Sequence, residues 1–131
     1  MKTLTAINPE SLAKPRGYNH GIKGSGDLLF VAGQVGWNRE GRMVSDDFAL
    51  QFAQALDNVL EVVLAAGGSP TSVARMTVYV TDKEEYLRRA KEVGEAWRKR
   101  LGKHFPAMAL VEVKALLEPD AKVEIEATAI V

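Results

Sequence analysis

The run Val123-Glu124-Ile125-Glu126-Ala127-Thr128-Ala129-Ile130-Val131 alternates strictly. Val123, Ile125, Ala127, Ala129 and Val131 share one side, while Glu124, Glu126 and Thr128 share the other. A period of two marks a strand buried on one face. Its acidic side must meet water, a partner or a ligand, because an unpaired carboxylate is too costly to carry into a core. Working back, Val73-Ala74-Arg75-Met76-Thr77-Val78-Tyr79-Val80 alternates in the same way. Met76, Val78 and Val80 read as its core side, with Arg75, Thr77 and Tyr79 opposite. His104-Phe105-Pro106-Ala107-Met108-Ala109-Leu110-Val111-Glu112-Val113 leads into the final pair of strands.

Between these strands the period changes. Phe48, Phe52, Leu56, Val59 and Val63 recur at three and four residues, an amphipathic helix that Ser45 would cap and Gly67-Gly68 would end. Thr81 and Glu84 match a capping box for a second helix, with Tyr86, Ala90, Val93, Trp97 and Leu101 on one stripe and Gly102 at its end. Arg98-Lys99-Arg100 reads as a solvated helix end. Toward the N-terminus, Thr3 to Ile7 reads as a short extended piece. Tyr18 to Lys23 and Leu28 to Gly33 read as strands joined in a hairpin by Gly24-Ser25-Gly26-Asp27, the second buried on both faces. Strands alternating with helices imply an α+β two-layer sandwich, a mixed sheet of about six strands with two helices on one face. The uncovered face, apolar and charged together, implies a homo-oligomer.

Composition narrows the function. The chain has 131 residues, enough for one domain spanning 1–131. Lysine and arginine number 17, matched by 17 aspartates and glutamates, so nothing in the charge balance favours nucleic acid or an anionic membrane. No cysteine is present, which excludes disulfides, thiolate metal sites and a cysteine nucleophile. The two histidines, His20 and His104, lie far apart and do not suggest a metal site. Met1-Lys2-Thr3-Leu4-Thr5-Ala6 lacks the apolar run of a leader, and no stretch reads as membrane-spanning, so the expectation is a cytoplasmic protein.

Several blocks together resemble one family: Leu29-Phe30-Val31-Ala32-Gly33-Gln34-Val35, Ala55-Leu56-Asp57-Asn58-Val59-Leu60, Val73 to Val80, Phe105-Pro106-Ala107 and Val123 to Ala127. In this order they are similar to the Rid family, the YjgF-type reactive intermediate deaminases also called L-PSP endoribonucleases. The resemblance implies a chorismate-mutase-like fold assembled as a homotrimer, with small-molecule ligand clefts between subunits. It also implies cofactor-free, metal-free hydrolysis of imines and enamines such as 2-aminoacrylate. In the family an arginine follows Phe-Pro-Ala and clamps the substrate carboxylate; here that residue is Met108, and Leu110 stands where cysteine is common. This looks like an arginine-lacking branch, for which 2-aminoacrylate is a poor substrate unless Arg75, Lys114 or another subunit supplies the charge.

Carried onto this sequence, the resemblance gives Glu124 as the catalytic residue that positions water. Tyr18, Gly33 and Gln34 hold the polar end of a ligand, and Met108 and Leu110 form an apolar wall. His20 is a candidate acid or base lining the pocket. Trp37 reads either as a cap on the cleft or as an interface contact. Two other readings stay open: a non-catalytic trimeric binder or chaperone-like protein, and an endoribonuclease, which zero net charge disfavours.

Overall fold

The computed structural model describes residues 3–131. Met1 and Lys2, part of the stretch read for a leader, lie outside the described residues. Strands β1 (Thr5–Ile7) and β2 (Gly21–Lys23) are followed by β3 (Leu28–Val35), helix α1 (Phe48–Ala65) and β4 (Val73–Val80). Helices α2 (Lys83–Arg88) and α3 (Ala90–Leu101) then lead to β5 (Ala107–Glu112) and β6 (Val123–Ile130). The main sheet has the order β3-β6-β4-β5, antiparallel except for the β4–β5 pair, which is parallel. A parallel pair cannot be joined by a hairpin, so α2 and α3 form the crossover. The molecule is an α+β sandwich with a mixed sheet.

The core lies between α1 and the sheet. Phe48, Phe52, Leu56, Val59 and Val63 are buried against Met76, Val78, Val80, Val123 and Ile125. Each such side chain contributes roughly 1.5–3 kcal/mol by leaving water. Val93, Trp97 and Leu101 bring α3 onto the same cluster. The indole N–H of Trp97 donates to the His104 carbonyl (3.1 Å), and His104 Nε2 donates to the Val73 carbonyl (2.7 Å). These bonds fix the end of α3 against the start of β4.

Several expectations are corrected. The six strands form a sheet of four and a separate pair, because β2 pairs with β1 and makes no hairpin with β3. The second helix breaks at Arg89, giving three α-helices among the described residues. Asp47, not Ser45, caps α1, its carboxylate accepting from the Leu50 N–H at 3.0 Å. Ser45 instead accepts from the Asp47 N–H. Asp82, not Thr81, caps α2 by accepting from the Glu84 and Glu85 amides. Helix α1 is long and apolar enough to cross a membrane by length and composition, contrary to the reading that no stretch is; half of it is buried inside the fold. Finally, β3 is buried on one face only: Leu28 is 61% exposed and Phe30 74% exposed in the single chain.

Candidate functional site at the outer sheet face and the β5 edge

The face of the sheet away from the helices carries Arg75, Thr77 and Tyr79 from β4, opposite Thr128, Glu126 and Glu124 of β6. Between Val31 and Gln34 the register of β3 against β6 shifts, so Ala32 and Gly33 together face Glu126 alone. This is a bulge, a common device for re-aiming a side chain at a site. Its consequence is local. A β-carbon on Gly33 would stand 2.8 Å from the Glu124 carboxyl carbon, so the glutamate lies directly over the glycine. On its other flank Glu124 has Tyr79. Burial, then the charge of Glu126 and a smaller contribution from Glu124, raises the Tyr79 phenol above its ordinary pKa. Among the described residues Glu124 forms no salt bridge. The Gln34 amide folds back to donate to the Ala32 carbonyl at 3.1 Å, across the bulge.

A second group gathers at the β5 edge. Asn19 bridges to Ala107 in parallel, its amide donating to the Pro106 carbonyl (3.1 Å) and its side chain to the Phe105 carbonyl (2.6 Å). That pins Tyr18 and His20 beside β5, their rings edge-on at 5.3 Å. With Arg75, Met76, Ala107, Met108 and Ala109 they line a hollow of about 210 Å³. His20 Nε2 donates to the Ala13 carbonyl at 2.6 Å, so one ring nitrogen is already engaged.

The structure brings some predicted residues together and separates others. Glu124, Gly33 and Gln34 meet at the bulge; Tyr18, His20 and Met108 meet at the β5 edge. Met108 and Leu110 do not share Glu124's face. They pair in register with Met76 and Val78, which point into the core, so their side chains turn toward the helix layer. There they line a cleft of about 270 Å³ with Phe52, Tyr86, Val93, Gly94, Trp97 and Phe105. Trp97 and Phe105 stack at 5.8 Å with rings 4° from parallel. Trp37 lies elsewhere, beside Arg42, Asp46 and Asp120. Lys114 is also remote, near Leu116 and Lys122. Arg75 faces outward between Phe30 and Thr77. Tyr79, Tyr86, Trp97 and Arg98, which also lines the cleft, were not among the residues assigned from sequence.

A mixed four-stranded sheet with helices on one face and a bulged glycine under a glutamate defines a class, and comparison with known proteins agrees. The family model described as Endoribonuclease L-PSP matches residues 9–131. A RutC family protein of Pyrococcus horikoshii is 35% identical over 125 residues, covering 94% of each chain. The 2-iminobutanoate/2-iminopropanoate deaminase of Escherichia coli K12 is 34% identical over 129 residues, 98% of this chain and 97% of the other. The solved structure of the Rid-family protein YyfB of Yersinia pestis superposes with a TM-score of 0.83 at 33% identity, covering 98% of this chain and 99% of that one. The chain therefore belongs to the L-PSP endoribonuclease family, the Rid or YjgF family.

Proposed function

We propose that this protein hydrolyses reactive imines or enamines without metal or cofactor, in clefts formed between the subunits of a homotrimer. The observation that carries the reading is the position of Glu124, over the bulged Gly33 and without a salt bridge among the described residues. An acidic group held there can accept a proton from water. Relatives named as 2-imino acid deaminases support the reaction class.

In one chain Glu124 and the Met108 cleft lie on opposite sides of the sheet. A joint site needs the outer face of one copy seated at the β5 edge of the next. The exposed Leu28 and Phe30 on that face favour such a contact. In the reaction, water adds through oxygen to the imine carbon as Glu124 takes its proton. That proton passes to nitrogen to give a carbinolamine, whose hydroxyl proton then moves through Glu124 to the nitrogen as the C–N bond breaks, releasing ammonia and leaving the carbonyl product.

Met108 stands where family members carry the carboxylate-binding arginine, and methionine cannot form that charged pair. Small anionic substrates such as 2-aminoacrylate are accordingly poor. The test presents freshly generated imines, made by an amino-acid oxidase, and follows their disappearance by semicarbazide trapping. Loss of catalysed hydrolysis in Glu124→Gln supports the mechanism; an unchanged rate removes it. Ligand binding with no turnover of any imine would favour a non-catalytic binder.

A further inference from the structure

We propose that the apolar cleft beneath β5 seats the substrate's side chain and that Arg98 holds its carboxylate, so the preferred substrates are aromatic or bulky aliphatic 2-imino acids. This rests on the imine-hydrolase reading and supplies its substrate class.

The cleft is apolar over most of its wall, with Trp97, Phe105, Val93, Met108 and Leu110 around a space of about 270 Å³. A dry cavity of ~150 Å³ already accepts benzene. The space here takes a ring of that size with a short extension, and a methyl group would leave most of it unfilled. Burial holds the Tyr86 phenol above its ordinary pKa, so it lines the cleft as a neutral group.

Two positive side chains, Arg98 and Lys103, stand on the same lining. Arg98 differs from the two other arginines of α3 and its N-cap, Arg89 and Arg100. Arg89 is held by Asp47 at 2.6 Å and Arg100 by Asp57 at 2.6 Å, whereas Arg98 forms no salt bridge among the described residues. Its Nη1 lies 3.3 Å from where a β-carbon on Gly94 would stand. The guanidinium therefore folds back one helical turn over Gly94, which itself lines the cleft. Glycine inside a helix is unfavourable. Gly94 has no positive φ to require it. What it provides is room, both for the cleft and for the Arg98 head group.

An apolar hollow with one unpaired guanidinium fork beside it suits an amphipathic anion: apolar body inside, carboxylate at the fork. The charge absent at Met108 is thus supplied from α3. Arg98 takes the role of a substrate-binding residue, and the hollow that Met108 and Leu110 leave apolar sets selectivity by size. Each further buried methylene should improve affinity roughly threefold to fourfold until the cleft is full.

The experiment has a binding arm and a kinetic arm on the intact protein. Calorimetry measures phenylpyruvate, pyruvate and uncharged 3-phenylpropanol on wild type, Arg98→Ala, Arg98→Lys and Gly94→Ala. The kinetic arm compares imines generated from phenylalanine and from alanine. Phenylpyruvate is expected to bind at least about tenfold more tightly than pyruvate. Arg98→Ala should weaken phenylpyruvate roughly tenfold or more and leave 3-phenylpropanol unchanged, with Arg98→Lys recovering part of the loss. Gly94→Ala should raise Tm while weakening phenylpyruvate. Equal affinity for the two keto acids, or Arg98→Ala without effect on phenylpyruvate, overturns the assignment. Arg98-dependent binding with no imine turnover sinks the hydrolase reading and keeps the binding site. Imine turnover indifferent to side-chain size and to Arg98 does the reverse.

Discussion

Glu124 of β6 lies over Gly33 of β3 so closely that the glycine's missing β-carbon would stand 2.8 Å from the glutamate's carboxyl carbon. The bulge creates this approach, and the absence of a side chain permits it. Gly33 does not need glycine for a positive φ. Gly33→Ala is therefore expected to fold but to push the Glu124 carboxylate aside. Imine hydrolysis should fall about tenfold or more, since small misplacements of a catalytic group are costly. Parallel measurement of rate and Tm checks it; a retained rate would show that Glu124's position is unimportant.

The apolar outer face predicts the assembly state. Phe30 is 74% exposed in one chain, and Leu28 61%. Phe30→Glu should weaken the proposed trimer, because it replaces an apolar contact with a carboxylate that must leave water at the interface. Light scattering reads the mass directly: a trimer for the wild type and smaller species for the variant. A wild-type monomer would remove the shared site.

Gln51 is fully buried yet has its hydrogen bonds filled. Its Nε2 donates to the carbonyls of Ser45 (2.9 Å) and Asp120 (3.0 Å), and its Oε1 accepts from the Lys122 amide (2.9 Å). It ties α1 to the loop that enters β6. Gln51→Leu would strand three backbone groups, at about 1–3 kcal/mol each when they stay dry. Chemical denaturation should show a loss of roughly 2 kcal/mol or more, and a loss within error would show that water replaces the amide.

Asp47 couples helix capping to acid stability. The hydrogen bond from Arg89, then that from the Leu50 amide, holds its pKa below the ordinary 3.8. A carboxylate lowered in the folded state adds stability above the unfolded value, and that stability is lost as pH falls through the folded one. Asp47→Asn keeps a capping oxygen and removes the charge. The wild type should melt higher than the variant at neutral pH, with the gap closing as pH drops below 3.8. A gap independent of pH would contradict the pairing.

How far sequence reached depended on the range of the interaction. The stripe from Phe48 to Val63 and the alternation from Val123 to Val131 are set by their own residues, and both elements formed as read. The pairing of β1 with β2 joins residues about sixteen apart through no repeated pattern, so a local hairpin was the wrong inference. In Ser45-Asp46-Asp47 any oxygen could cap, and only the helix's actual start chooses Asp47. Leu28 to Gly33 looked buried on both faces because its apolar outer side is real, though one chain leaves it uncovered.

The candidate site divided in the same way. Glu124 and Gly33 can be named from sequence through the family resemblance, but their contact depends on a bulge that no local pattern announces. Which way Met108 and Leu110 turn depends on the parallel register of β5 against Met76 and Val78, which no local pattern of β5 shows. Arg98 read as one of three solvated cations. Only the fold distinguishes it from Arg100, which Asp57 holds.

The central claim is that one copy's Glu124 works with another copy's cleft. Co-expression of Glu124→Gln with Gly94→Leu, whose side chain fills the cleft, tests it most directly. Each variant alone should be nearly inactive, and the co-expressed population should recover about a quarter of the wild-type rate, with about one seam in three intact in each mixed trimer. A mixture no more active than its parents, in trimers shown to be mixed, would contradict a site shared between subunits.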